Sequence, residues 1–182
     1  MRAWHRYITA EATTVPRKTL LLVPCAKEKP YLPPTRSFFY NWLWKFLNKQ
    51  KLRDNVFVCT VSEPFGLFPE TDYSRMPCYE LSPALLKQTP DLFDLYAEKL
   101  AVPIAMFLKR NFRNHQHIVA YVRSDSTHAT FLDKANELLR DHMIQFPVTQ
   151  EDFDELRRTH PRMWHLNWMI FLQEKLGTAL RL

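Results

Sequence analysis

The sequence predicts a three-layer α/β/α domain with a short, mostly parallel central sheet. Continuous aliphatic runs, the first of them at 19–23, are typical of strands that are buried on both faces of a sheet. These runs alternate with helical patterns of ten or more residues, which favours parallel strands joined by right-handed crossovers. A length of 182 residues suits one domain, and no repeat or linker divides the chain.

The first half of the chain supplies two strands and a helix. The run at 19–23 is the first strand, and Ser37 is placed to cap a helix over about 38–49 with a wide aromatic and aliphatic face. The β-branched and aromatic run NVFVCTV, at 55–61, predicts the second strand. A long loop is expected over about 62–90 because a glycine and several prolines interrupt it, and a loop of that length is usually functional or carries short elements of its own.

The second half continues the alternation. A long helix is predicted over about 91–112, with Pro103 expected to kink or divide it. The other predicted elements are strands at 117–122 and 143–148 and helices at 128–141, 150–159 and 162–176. The chain is therefore expected to form a single domain over 1–182 that ends in a helical part at about 150–176.

Composition excludes several classes of protein. With only two glycines, the chain has no Gly-rich loop for a nucleotide phosphate. The three cysteines (Cys25, Cys59 and Cys78) are far apart and form no zinc spacing, so we expect no disulfide framework and no metal site. Residues 1–18 lack the apolar core of a secretory signal, and no run is long enough to cross a membrane. We expect a cytoplasmic protein with no membrane partner and no cofactor.

The charge of the chain favours a polyanionic partner. Lys and Arg number 25 and Asp and Glu number 19, which gives a formal net charge of +6. Basic proteins attract the phosphates of nucleic acids, although many proteins of this charge bind none.

Three strand ends are expected to meet at one edge of the sheet, where α/β proteins bind ligands. The loop after the first strand, PCAKEKPY at 24–31, offers a thiol, two amines, a carboxylate and a phenol, and its prolines restrict the backbone. Segment 62–70 follows the second strand, and segment 123–128 follows the third. Such a gathering of titratable side chains is the pattern of an active site.

These segments also have interpretations without a function. The first is a basic loop with a half-buried Cys25, and Gly66 is a turn residue with positive φ. The third is a polar turn that caps the next helix, with Asp125, Ser126 and Thr127 as the candidate caps.

Two of the loops resemble a known enzyme family. Residues 24–31 are similar to the PC-x3-KPY signature of archaeosine synthase, a relative of tRNA-guanine transglycosylase that acts on 7-cyano-7-deazaguanine in tRNA. Segment 62–70 is similar to the Ser-Pro-Leu-Gly-x-x-Pro-x-Glu segment of that family, with one extra residue before the proline. Segment 73–81 resembles the Tyr-Pro-x-x-Tyr-Asp stretch that follows. The resemblance covers about 19–130, one internal domain of a larger enzyme.

This chain departs from the family pattern at three positions. The first motif of the family continues with a serine and a histidine, where this chain has Pro34 and Ser37. Glu80 stands where the family has an aspartate. The transglycosylase barrel and the RNA-binding domain of the family have no counterpart within these 182 residues.

The resemblance implies both a fold and a reaction. The family domain is similar to uracil-DNA glycosylase, and the family joins an amine, that of free lysine, to the nitrile of the modified base to give an amidine. We predict Cys25 as the nucleophile that attacks the nitrile carbon, with Lys27 and Lys29 stabilising its thiolate. Glu70 or Asp72 would move protons. Lys29 would alternatively hold a phosphate or the carboxylate of the amine donor.

Further side chains in the same loops are expected to bind the base and its phosphates. Tyr31 or Phe65 would stack on the base. The other predicted substrate-binding residues are Lys27, Arg36, Ser62, Gly66 and Asp125.

Two functions of different classes remain open at this point. One is an amine transferase that modifies a 7-deazaguanine base in tRNA or DNA, with a separate transglycosylase as partner. The other is a module of the same fold that binds a nucleotide or nucleic acid without reacting. The two differ in whether Cys25 reacts with a nitrile.

Overall fold

The computed structural model describes residues 2–29, 31–77, 88–139, 143–159 and 174–180. Five strands form one sheet in the order β3-β2-β1-β4-β5. They are β1 (Thr19–Pro24), β2 (Val56–Ser62), β3 (Gly66–Pro69), β4 (His117–Ala120) and β5 (Ile144–Gln145). The helices with described bounds are α1 (Arg2–Ala10), α2 (Phe38–Lys49), α3 (Pro90–Asn111), α4 (Thr127–Glu137) and α5 (Gln150–Thr159). Short 3-10 helices span Glu70–Arg75 and Phe112–Asn114.

The centre of the sheet is parallel. Strand β1 pairs in parallel with β2 on one side and with β4 on the other, and β4 pairs in parallel with β5. The prediction that the first three strands are parallel neighbours is therefore confirmed. At the far side of β2, the short strand β3 runs antiparallel. We call the edge where β1, β2 and β4 end the carboxyl edge, and the edge where they begin the amino edge.

Helices cover both faces of this sheet. Alternate side chains of β1 enter two separate cores, Leu20 and Leu22 on one face and Leu21 and Val23 on the other. Helices α1, α3 and α4 contribute to the first core, and α2 and the helical residues 174–179 contribute to the second. This is the period-two pattern of a strand that is buried on both faces, and it gives a three-layer α/β architecture.

The structure refines the local predictions. The segment predicted as a long loop at 62–90 carries short elements of its own, β3 and a 3-10 helix, and residues 78–87 of it lie outside the described residues. Helix α1, for which the sequence predicts no element, packs Trp4 and Tyr7 against the first core. Of the two outcomes expected at Pro103, division is excluded, because α3 runs through it from Pro90 to Asn111. Most of the helix predicted at 162–176 lies outside the described residues. Within those residues, none of the helices combines the length and the apolarity that a membrane crossing requires.

Candidate active site

Three side chains of different chemistry meet at the carboxyl edge of the sheet. Cys25 directly follows β1, Glu63 directly follows β2, and His128 is the second residue of α4, which comes after β4. We call these three residues the thiol cluster. Each is delivered by a different strand end, so the parallel topology itself brings together residues that are 38 and 103 positions apart.

The thiol cluster is a triangle rather than a chain. Cys25 Sγ lies 3.2 Å from Glu63 Oε2 and 3.4 Å from His128 Nε2. The same imidazole nitrogen lies 3.3 Å from Glu63 Oε1. In a relay of the serine-protease type, the carboxylate would hold the other ring nitrogen. Here the carboxylate contacts Nε2, the same ring nitrogen that contacts Cys25 Sγ, and its second oxygen contacts the sulfur.

Charges within the thiol cluster are strongly coupled. Burial alone raises the pKa of Glu63, but the hydrogen bond and the charge of His128, a backbone contact and Thr127 outweigh it and hold that pKa at about 2. Burial lowers the pKa of His128, but its contacts with Cys25 and Glu63 outweigh burial and raise it to about 10. At neutral pH the pair is therefore a carboxylate and an imidazolium beside a thiol.

The start of α4 fixes the imidazole and the carboxylate. Ser126 is the N-cap, and its hydroxyl accepts a hydrogen bond of 3.2 Å from the amide of Ala129. The hydroxyl of Thr127 donates to Glu63 Oε1 at 2.8 Å. Of the three candidate caps in the sequence, Ser126 is thus the one used, and the turn that caps the helix also places His128 in its first turn.

The loop that carries Cys25 is held in place by backbone and phenol contacts. The amide of Cys25 donates to the carbonyl of Val61 at 3.0 Å, which extends the β1–β2 ladder by one residue. Tyr31 Oη accepts from the amide of Ala26 at 3.0 Å and donates to its carbonyl at 2.8 Å. Tyr40 Oη donates to the carbonyl of Pro24 at 3.1 Å. The half-buried thiol therefore sits on a fixed backbone.

Tyr96 of α3 approaches the same site. Its hydroxyl is buried and has no hydrogen-bond partner among the described residues. Burial raises the pKa of Tyr96 to about 12, and the nearby charge of Glu63 contributes to the shift. A neutral phenol with an unused donor thus lies within the electrostatic reach of the cluster.

The basic residues predicted for the site lie near Cys25 but outside the thiol cluster. Lys29 Nζ donates to the carbonyl of Ala26 at 3.2 Å and lies 5.7 Å from the centre of the Tyr31 ring. Lys27 and Arg36 are exposed on the same loop region. These positions suit contacts with a ligand at the mouth of the site.

Both residues predicted to stack on a base are packed inside the protein to different degrees. Tyr31 is 1% exposed and stacks on Tyr40 with ring centres 3.9 Å apart. Its predicted contact with a base is therefore corrected to a structural role in the loop. Phe65 is half-buried and meets Trp4 and Phe68 edge to face.

The structure does not bring Glu70 to Cys25. Because β3 runs antiparallel to β2, it carries the chain from Ser62 back towards the amino edge. There Glu70 forms ion pairs with Arg53 at 3.0 Å and with Arg17 at 3.7 Å, the residues that precede β2 and β1. The prediction that Glu70 moves protons at the site of Cys25 is corrected by this placement.

Of the remaining predicted residues, Ser62, Gly66 and Asp125 lie in the segments at the carboxyl edge, and Asp72 does not. Ser62 is buried directly before Glu63, and its hydroxyl donates to the carbonyl of Glu63 at 3.3 Å. Gly66 has a φ of 81°, which only glycine adopts readily, and it starts the reversal into β3. Asp125 accepts two hydrogen bonds from Arg123 in the turn before α4. The Asp72 alternative lies in the 3-10 helix with Glu70, where it accepts from Tyr7 Oη at 3.0 Å.

Sequence reasoning missed Glu63 and His128. Both lie within the polar segments that follow the strands. Adjacency to the strand would have found Glu63, the first residue after β2, whereas Glu70 is seven residues further on. His128 lies eight residues after β4, so adjacency gives no such signal for it. No motif spacing links these residues to Cys25, since only the topology makes them neighbours.

Comparisons with protein-family models, with curated proteins and with solved structures return no match for this chain.

Proposed function

We propose that this protein is an amine transferase that acts through Cys25 on the nitrile of a 7-cyano-7-deazaguanine base, in the manner of archaeosine synthase. The observation that carries the proposal is the contact of Cys25 Sγ with the charged His128 and Glu63 at the carboxyl edge. A nitrile is a weak electrophile that needs a strong nucleophile at carbon and an acid at nitrogen. The thiol cluster offers both within 3.4 Å.

The first step is addition of sulfur to the nitrile. Cys25, having lost its proton to solvent, forms the S–C bond, while the electron pair of the C–N π bond takes the Nε2 proton of His128. The product is a thioimidate and a neutral imidazole. Glu63 keeps His128 charged and oriented beforehand, so it acts as a positioning residue.

The second step transfers the amine. The nitrogen of the amine attacks the thioimidate carbon, its proton returns to His128, and the C–S bond breaks to release the Cys25 thiolate. The net reaction joins amine and nitrile into an amidine and restores both residues, so it needs no oxidant, reductant or cofactor. His128 would supply the imidazole that the family motif has where this chain has Ser37.

The substrate class follows from the resemblance to archaeosine synthase. We propose a base within tRNA or modified DNA, inserted by a separate transglycosylase, on a fold similar to that of uracil-DNA glycosylase. Exposed Lys27 and Arg36 are placed to contact phosphates at the mouth of the site. Both described cysteines, Cys25 and Cys59, are free, and a thiol reaction suits a reducing cytoplasmic compartment.

A mass measurement tests the reaction directly. The full chain is incubated with 7-cyano-7-deazaguanine and its intact mass recorded, followed by peptide mapping. We expect a gain equal to the mass of the base, located on Cys25, and release of an amidine when an amine such as lysine is added. The control Cys59→Ala removes a buried core thiol and should still form the adduct.

The alternative is a binding module of the same fold that does not react. An unmodified mass in the presence of saturating nitrile, with Cys25→Ala binding the base as well as the unmutated chain does, would replace the transferase with this module. Binding of tRNA or DNA that weakens steeply with salt would support a nucleic acid as ligand, with a slope of about −0.7 to −0.9 per phosphate contact.

A further inference from the structure

The triangle of Cys25, Glu63 and His128 is also the arrangement of a metal site. Its thiol, imidazole and carboxylate offer three ligand atoms that all lie within 4.8 Å of one another. The observed separations are 3.2 Å from Cys25 Sγ to Glu63 Oε2, 3.4 Å from Sγ to His128 Nε2 and 3.3 Å from that nitrogen to the other carboxylate oxygen, Glu63 Oε1. We propose that these three side chains bind one Zn²⁺ ion.

The distances fit tetrahedral zinc. Bonds of about 2.3 Å to sulfur and about 2.0–2.2 Å to nitrogen and oxygen place neighbouring ligand atoms about 3.4–3.6 Å apart. Each observed contact is within a few tenths of an ångström of this spacing, but Glu63 offers a different oxygen to each neighbour, so its carboxylate must turn to present an oxygen to the ion. Three protein ligands leave one position of the tetrahedron for water or a small ligand.

The ligand set selects the metal class. Mg²⁺ and Ca²⁺ prefer oxygen alone, whereas zinc is held by mixtures of thiolate, imidazole and carboxylate. The cluster also has the outer support of a metal site, since Thr127 donates to Glu63 Oε1 at 2.8 Å. Access is through Cys25, which is half-buried, while Glu63 behind it is only 2% exposed.

Zinc and nucleophilic attack exclude each other at this site. A sulfur lone pair engaged by Zn²⁺ is not available to the nitrile carbon, so the ion acts as a reversible inhibitor of any reaction of Cys25. The inference on binding stands apart from the proposed transferase, because the metal is measured directly. Nitrile addition without metal binding would overturn this inference alone, and metal binding without nitrile addition would overturn the transferase alone.

Cobalt titration is the test. The full chain, treated with a chelator and a reductant and then desalted, is titrated with Co²⁺ and followed by absorbance. We expect a sulfur-to-cobalt charge-transfer band that saturates at one ion per chain and disappears when Zn²⁺ is added. The variants Cys25→Ser, Glu63→Gln and His128→Asn should each lose the tight site, whereas Cys59→Ala should keep it. Thr127→Val should weaken affinity by about 10- to 100-fold.

Two results of the titration would overturn the inference: a chain without a sulfur-to-cobalt band, or a band that persists in Cys25→Ser. If the variants do not fold, the unmutated chain still decides the matter. Zn²⁺ should slow the alkylation of Cys25 by iodoacetamide, measured by peptide mass, and a chelator should restore it. Alkylation of Cys25 at an unchanged rate in saturating Zn²⁺ would exclude the site.

Discussion

Two glutamates, buried at opposite edges of the same sheet, have opposite electrostatic behaviour. Glu63 at the carboxyl edge is 2% exposed and Glu70 near the amino edge is 7% exposed. The pKa of Glu63 is lowered to about 2, whereas the pKa of Glu70 is raised. Burial is similar, so the difference lies in the partners.

The partners of Glu63 are inside the protein, and those of Glu70 reach solvent. Burial raises the pKa of Glu70 more than Arg53 and Arg17 lower it, and those arginine side chains are 31% and 21% exposed. Solvent screens such pairs. His128, only 13% exposed, gives Glu63 a partner that is less accessible to solvent. The two glutamates are therefore distinguished by the groups that contact their carboxylates rather than by how deeply the carboxylates are buried.

The largest expected effect comes from removing the imidazole. His128→Asn should slow nitrile addition to Cys25 by about 10²- to 10⁴-fold, the usual contribution of a positioned general acid. The rate is followed by intact mass at pH 7. His115 is the matched control, because it is also buried but bonds to Thr14 and to the carbonyl of Arg17 at the amino edge. A His115→Asn rate per folded molecule that falls as far would contradict the assignment.

Stability should separate the two glutamates next. Glu63→Gln should cost about 3 kcal/mol of unfolding free energy at pH 6, because it removes one partner of a buried pair. Glu70→Gln should change the unfolding free energy by about 1 kcal/mol or less, because Arg53 and Arg17 are partly exposed and stay hydrated when Glu70 is replaced. Urea unfolding followed by circular dichroism gives both values. Equal losses would show that the two pairs are energetically equivalent.

The pH dependence of stability should also differ between them. The pKa of Glu63 is lowered from 4.5 to about 2 in the folded chain, so its contribution is complete above about pH 4.5 and is lost as the pH falls towards 2. The pKa of His128 is raised from 6.5 to about 10, so its contribution is complete below about pH 6.5 and is lost as the pH rises through 10. Unfolding free energies from pH 2 to 10 should show this plateau in the unmutated chain. Because the pKa of Glu70 is raised, protonation of Glu70 at acid pH favours the folded state. Of the two substitutions, only Glu63→Gln should therefore reduce the loss of unfolding free energy at acid pH.

The decrease of the nitrile-addition rate at high pH, the alkaline limb of the pH–rate profile, gives a finer comparison. Nitrile addition should fall as His128 loses its proton near pH 10. In Glu63→Gln the pKa of His128 should drop towards its ordinary value of 6.5, which moves this limb to lower pH. Glu70→Gln should leave the limb in place. A limb that does not move in Glu63→Gln would assign Glu63 a packing role only.

The smallest effect is expected at Tyr96. Its hydroxyl has no partner among the described residues, so Tyr96→Phe should change the unfolding free energy by about 1 kcal/mol or less in either direction. Chemical denaturation measures this change. A larger loss would indicate that the hydroxyl has a partner.

The sequence predicted the central strands and α2 well because their signals are local and strong. The aliphatic run of β1 and the capped aromatic face of α2 agree with the structure to within a residue. Strand β3 was missed because its four residues follow Pro64 and begin at Gly66, a pattern that also describes a loop. That omission placed Glu70 at the wrong edge.

The candidate site was predicted in part for the same reason. Cys25 was found because it directly follows the longest aliphatic run, which local pattern reveals. Glu63 and His128 are brought to Cys25 by the order of the strands in the sheet. Neither the burial of these two side chains nor their ion pair is visible in one sequence. The choice between Glu63 and Glu70 required the direction of β3.

The phenol of Tyr31 has a kinetic consequence for Cys25. By holding both the amide and the carbonyl of Ala26, and by stacking on Tyr40, it fixes the peptide that follows the nucleophile. A flexible loop would have to lose that freedom each time a substrate arrived, and the lost entropy would add to the activation barrier. In this chain the order is established once, during folding, so a substrate of the proposed transferase would meet a sulfur whose backbone is already in place.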